Sequence, residues 1–328
     1  MTVAPPRLSR RRLLVAGAAT FLPGRAAAQQ ARVPVLGIVR FGTKRRRDNV
    51  VASLTQFMHE LGWEEGRHFR LVVLYAEEQP DRIPALVGEL VSRRVDVMVQ
   101  FGDIAIRAAQ QATRAIPIVG MADDIVGSRL AASIARPGAN TTGVSILASE
   151  LDVKRLERLH EFVPKARRIG MLVDPTTVST RPQLEKAALT LGIEAVTFEA
   201  QTRNEIARAL DAMPAARIGA VNVLASPILD AARLLLIERL NRARLPAIYQ
   251  WPETAGDGGV LAYGPRQSLA YRHVAGLVNK ILRGAQPADL PIEQPTKFEL
   301  VINLKTAKAL GVSIPEPLMV RADELIQE

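Results

Sequence analysis

From residue 33 onward, short runs of β-branched and apolar residues alternate with amphipathic stretches of helical period, and the alternation restarts about 130 residues later. Such a chain must build βαβ units around parallel sheets. The first pass predicts strands at 33–40, 69–75, 95–101 and 116–121, with helices at 48–61, 81–94 and 104–112. The second predicts strands at 168–173, 194–199 and 218–223, with helices at 181–191 and 203–212. Landmarks fall in step: Gly37 with Gly170, Leu61-Gly62 with Leu191-Gly192, Ala76 with Ala200, and Gly102 with Ala225. Either the chain holds two similar lobes, or it shows only the likeness that any two βαβ stretches share. Two lobes is the architecture expected.

Length agrees, since 328 residues are too many for one small core and suit two α/β lobes of roughly 120–150 residues each. The lobes need linkers, and three stretches have the composition. Residues 136–143, RPGANTTG, would break any helix; Gly256-Asp257-Gly258-Gly259 precedes a crossing near 261–265; and 287–295 carries three prolines. The expected division is 29–144 plus 264–288 for the first lobe and 145–262 plus 296–328 for the second. Three linkers make a hinge that bends without unravelling.

The first 28 residues read as a cleaved export signal. A basic segment, 5–12, precedes about ten apolar residues, 13–22, and Ala26-Ala27-Ala28 supplies the small residues a signal peptidase requires. Ser9-Arg10-Arg11-Arg12-Leu13-Leu14 resembles the twin-arginine motif, although an Arg-rich general secretory signal reads the same way. Half of the formal net charge of +10 comes from Arg7, Arg10, Arg11, Arg12 and Arg25, so the remaining surplus calls for no nucleic-acid partner. The chain has no cysteine, hence no lipoprotein anchor, disulfide framework or Cys-ligated metal. A monomeric periplasmic protein, not embedded in the membrane, is expected.

The sequence carries no complete enzyme signature of the familiar kinds. His59, His68, His160 and His273 are scattered without metal-ligand spacing, and His59-Glu60 begins an H-E-x-x-H that does not continue. Gly143-Val144-Ser145 begins a nucleophile elbow but runs on into Ile146-Leu147. Neither a dinucleotide fingerprint nor a P-loop occurs, so no cofactor and no catalytic residue is expected. A DNA-binding repressor with a two-lobed sensor would need a helix-turn-helix where the export signal lies.

The stretch 290–311, LPIEQPTKFELVINLKTAKALG, is similar almost letter for letter to a signature of the ABC transporter substrate-binding proteins, the family that includes the TrpX-like receptors. Further matches are Leu61-Gly62-Trp63 with Glu65-Gly66, Asp81-Arg82-Ile83-Pro84-Ala85-Leu86, Ala135-Arg136-Pro137-Gly138, Thr142-Gly143-Val144-Ser145, Leu245-Pro246-Ala247-Ile248-Tyr249 and Tyr263-Gly264-Pro265. The resemblance covers 33–328. It implies a type I periplasmic-binding-protein fold, two Rossmann-like lobes with parallel sheets joined by three crossovers, and a small solute held in the interlobe cleft. It also implies a permease, contacted directly, and an ATPase as partners. A solute sensor for a signalling partner and a periplasmic two-lobed isomerase or hydrolase are the competing functions.

Parallel α/β sheets bind ligands beyond the carboxyl ends of their strands. That rule selects Phe41, Thr43, Gly102, Asp103 and Asp124 from the first lobe and Asp174, Thr176 and Ser226 from the second, with Ser145 and Tyr263 at the crossings. Thr43, Thr176 and Ser226 serve equally well as helix caps, Asp123 and Asp124 as first-turn acids, and Tyr263 as a hinge plug or a stacking ring. Asp124 falls at the family's Asp-Pro-Val position but is followed by Ile125. Lys44-Arg45-Arg46-Arg47 stands where the family carries small polar residues. If it faces the cleft, it favours a carboxylate-bearing ligand, an organic acid or amino-acid-like solute; a solvated helix start is the other reading.

Overall fold

A computed structural model describes residues 1–2, 32–44, 49–176 and 181–327. The export segment from residue 3 and Arg45, Arg46 and Arg47 lie outside the described residues, while Lys44 is exposed.

The first sheet holds β1 (Val35–Arg40), β2 (Arg70–Tyr75), β3 (Val97–Phe101), β4 (Ile118–Ala122) and β5 (Thr141–Ser145), ordered β2-β1-β3-β4-β5 and parallel throughout. The second holds β6 (Arg168–Val173), β7 (Glu194–Glu199), β8 (Ala220–Val223), β9 (Ala247–Tyr249), β10 (Leu261–Gly264), β11 (Glu299–Asn303) and β12 (Glu324–Ile326), ordered β12-β11-β10-β9-β8-β6-β7. Its β7-β6-β8-β9-β10 portion repeats the order of the first sheet. Gly37 and Gly170 each occupy the third position of the first strand of their sheet. Only β11 departs from parallel pairing, running against β10 with Tyr263 opposite Leu300.

Helices cover both faces of each sheet, which is why the strands are apolar runs rather than alternating ones. In β3, Val97, Val99 and Phe101 pack under helices Asn49–Glu60 and Gln267–Leu282, while Met98 packs on the other face with Leu90 and Ile106. The second sheet splits in the same manner: Leu172 and Val221 face one cluster, Ile169 and Met171 the other.

The chain passes between the sheets three times. β5 leads through 146–147 to helix Ala148–Phe162, which packs on the second sheet; β10 leads through 265–266 to helix Gln267–Leu282, which packs on the first; and 294–298 return the chain to β11. Before the last passage Glu293 lies beside Val144 at the edge of β5, its N–H donating to Gly143 O at 2.9 Å. The family-like stretch 290–311 therefore builds this crossing, then β11, then helix Leu304–Leu310. Asn303 caps that helix by accepting from Thr306 N at 2.9 Å, and Gly311 ends it at φ 74°, a left-handed conformation glycine adopts without strain.

One buried ion pair ties two crossings together. Arg155, 0% exposed, pairs with Asp152 on helix Ala148–Phe162 and donates from Nη1 to Tyr263 O at 3.2 Å. Burial pushes the Asp152 carboxyl up to about 6 against the pull of Arg155. Removing one partner of such a pair leaves a buried charge uncompensated. Arg155→Ala is expected to cost about 3–5 kcal/mol in urea denaturation, and Asp152→Leu with Arg155→Met to recover most of it. Equal destabilisation by the single and double variants would contradict this account.

Candidate functional site

The carboxyl ends of both parallel sheets open onto one cavity of about 160 Å³ between them. From the first sheet, β1 delivers Arg40, Phe41 and Thr43, β3 delivers Phe101, Gly102 and Asp103, and β4 delivers Met121 and Asp123. From the second, β6 delivers Asp174 and Thr176, β8 delivers Ala225 and Ser226, and β9 delivers Gln250 and Trp251. Helix Gln267–Leu282 adds Gln267 and Tyr271.

The floor is aromatic. Phe101 and Tyr271 meet edge to face, ring centroids 6.0 Å apart and planes at 89°, and the Arg40 guanidinium lies 5.0 Å over the Phe101 ring. Trp251 follows β9 of the second sheet, yet it is buried with Phe101, Met121, Ile146 and Tyr271 of the first lobe. Phe41 packs against apolar clusters of both lobes.

The walls are acid-rich: among the described residues Glu78, Asp103, Asp123, Asp174 and Asp230 line the cavity, against Arg40 and Arg233. Burial raises the Asp103 carboxyl above its usual range, Asp123 and Asp124 add to the rise, and Arg107 opposes it. Burial likewise raises Asp230, against Arg233, Arg40 and a hydrogen bond from Gln267. Arg40 and Gln267 reach it from the first lobe, so Asp230 marks where the lobes touch. A second contact across the gap is Arg203 with Glu78, at 3.7 Å.

Seven of the residues selected from sequence line this one cavity: Phe41, Thr43, Gly102, Asp103, Asp174, Thr176 and Ser226. Three of them are bound to one another. Asp174 Oδ1 accepts from Thr176 N at 2.9 Å and from Thr176 Oγ1 at 2.7 Å, while its Oδ2 accepts from Ser226 Oγ at 2.6 Å. Ser226 also caps the following turn, accepting from Ile228 N at 3.0 Å.

The other three are placed elsewhere. Asp124 closes its own turn, Oδ1 accepting from Val126 N and Gly127 N at 3.2 and 2.8 Å. Ser145 is buried and holds the loop after β4, accepting from Ile125 N at 3.0 Å and donating to Asp123 O at 3.2 Å. Tyr263 lies within β10, whose alternation sends it with Leu261 into the cluster beneath helix Ala148–Phe162. Sequence reasoning did not select Trp251, Tyr271, Gln250 or Arg40; their place in the cavity depends on how the lobes meet.

The profile of the ABC transporter substrate binding proteins matches residues 33–326. The chain belongs to that family. Its members are solute-binding proteins rather than enzymes. A tyrosine-binding protein of Clostridioides difficile (strain R20291) is 24% identical over 273 residues, 81% of this chain and 77% of that protein. A conserved domain protein of Vibrio cholerae superposes with a TM-score of 0.81 at 25% identity, covering 90% of this chain and 100% of the other. An ABC domain from Streptococcus pneumonia, solved in complex with L-Trp, superposes with a TM-score of 0.79 at 22% identity, over 89% of this chain and 99% of its own.

This substrate-binding protein brings its lobes together at Gly102. The residue adopts φ 82°, and a β-carbon built there would lie 2.7 Å from Cγ of Pro227 in the other lobe. Gly102→Ala should therefore hold the lobes apart and raise the radius of gyration in small-angle scattering, and adding Pro227→Ala should bring the radius back while leaving the stability cost of an alanine at φ 82°. Superimposable curves for wild type and Gly102→Ala would contradict the contact.

Proposed function

We propose that this protein is the periplasmic receptor of an ABC importer, that it binds an amino acid with an aromatic side chain in the interlobe cleft, and that the closed form delivers it to the permease. The observation that carries this reading is an aromatic floor, Phe101, Trp251 and Tyr271, beside walls with an excess of carboxylates, in one cavity that both lobes enclose. An aromatic side chain buries about 150–250 Å², worth about 4–6 kcal/mol at 25 cal/mol per Å². The half-buried Asp103 and Asp123 suit an ammonium group, whose charge a desolvated site must pair.

The lining favours a ligand with a cationic group over a purely anionic one. An amino acid carries such a group. The names of the relatives, one tyrosine-binding and one solved with L-Trp, point the same way. Export is supported by the basic, apolar and small-residue succession before residue 29. No described helix is long and apolar enough to cross a membrane. Closure would be driven by the ligand's greater affinity for the state in which both walls touch it.

Isothermal titration with L-tryptophan, L-tyrosine and L-phenylalanine is expected to show at least one binding with a Kd of about 1 μM or tighter, near −8 kcal/mol. L-Phenylalanine or L-tyrosine binding should also alter the emission of Trp251, with the change lost in Trp251→Phe. Absence of heat from all three acids would overturn the aromatic amino-acid reading.

A further inference from the structure

One side chain that lines the cavity carries a donor that the fold leaves unused. Gln250 follows β9, is only 7% exposed and lines the cleft beside Trp251. Its Nε2 is buried with no hydrogen-bond partner, the only such atom among the described lining residues, and a turn of the amide about its soft terminal torsion presents it to the cavity. Leaving a donor in that condition costs stability, and a cost of this kind at a ligand cavity has a use when the ligand supplies the acceptor. The backbone holds it firmly: Gln250 O would be 2.0 Å from a β-carbon at Gly264, so the end of β10 packs directly on this residue.

We infer that Gln250 is a ligand-binding and specificity-determining residue whose amide N–H donates to the carboxylate of the bound amino acid. This rests on the amino-acid reading above and assigns the ligand's acid end to the hinge side of the cleft. The cationic donors of the lining, and the other glutamine, are engaged. Arg233 is bound by Asp257, Nε to Oδ2 at 2.7 Å, and by the charge of Asp230. Arg40 stacks over Phe101 and faces Asp230. Gln267 serves Asp230. The five lining carboxylates, when ionised, can only accept. A ligand carboxylate pointing at them would be repelled, whereas at Gln250 it meets an unengaged donor in a desolvated setting, where a hydrogen bond to a charged group is at its strongest.

The test compares wild type, Gln250→Met and Gln250→Glu by titration with L-tryptophan, L-tyrosine and L-phenylalanine, and by thermal melting without ligand. Met keeps the length of the side chain and removes the donor; Glu puts an acceptor in its place. For whichever acid binds, Gln250→Met is expected to weaken affinity about ten-fold and Gln250→Glu at least about a hundred-fold. Unchanged affinity in Gln250→Met, or tighter binding by Gln250→Glu, would overturn the assignment, the latter by showing that the amide faces the ammonium. A wild-type protein that binds none of the three acids removes the amino-acid reading, and the melting comparison then decides about Gln250. With no partner within the fold, Gln250→Met should melt at or above the wild-type temperature. A fall of about 2 °C or more would mean that the amide is spent on the fold and would overturn the inference.

Discussion

Trp251 is the contact on which the arrangement of the lobes depends. It leaves the second sheet at the end of β9 and is buried in the core of the first lobe, against Phe101, Met121, Ile146 and Tyr271. A side chain of that size, buried across a boundary, sets how far apart the sheets stand and floors the space between them. The cleft is therefore the part of the interface that Trp251 does not fill. Gly102 against Pro227, Glu78 against Arg203, and Asp230 against Arg40 and Gln267 bound it on the remaining sides.

The repeated strand order explains why the site has two similar walls. In each sheet the carboxyl ends of the first and third strands carry the loops that reach the gap: Phe41–Thr43 and Gly102-Asp103 on one side, Asp174–Thr176 and Ala225-Ser226 on the other. The walls are not chemically equal. The second lobe's loops are braced by the Asp174, Thr176 and Ser226 hydrogen bonds, whereas Asp103 in the first is desolvated and lies within reach of the charges of Asp123 and Asp124. A braced wall facing a charged one suits a ligand with an apolar body and a zwitterionic head.

Much of this was legible in the sequence where local chemistry decides the outcome. Strands Arg168–Val173 and Glu194–Glu199 and helices Arg181–Leu191 and Arg203–Ala212 have the bounds that periodicity predicts, the last opened by a Thr202–Glu205 capping box. The expected strand from residue 95 begins instead at Val97, because Asp96 holds the start of β1: its Oδ2 accepts from Val35 N at 2.7 Å. The expected helix from residue 81 opens as a 3₁₀ turn, Pro80–Arg82, before Ile83–Ser92. Strand-end loops could be named because the parallel-sheet rule is topological. Trp251 and Gln250 could not, since β9 is only three residues long and the opposite lobe fixes the course of the chain beyond it. Asp124 and Ser145 carried the right chemistry in the right loops, but the turn after β4 uses them itself.

The central claim is mechanical: two lobes close on a solute across a cleft. Because the chain has no cysteine, spin labels can be placed at Ala85→Cys and Asn204→Cys, exposed positions on helices Ile83–Ser92 and Arg203–Ala212 of opposite lobes. Double electron–electron resonance should then give a shorter and narrower distance distribution at saturation with whichever of the three aromatic amino acids binds than without it. An unchanged distribution in a sample shown by calorimetry to have bound the amino acid would contradict the account.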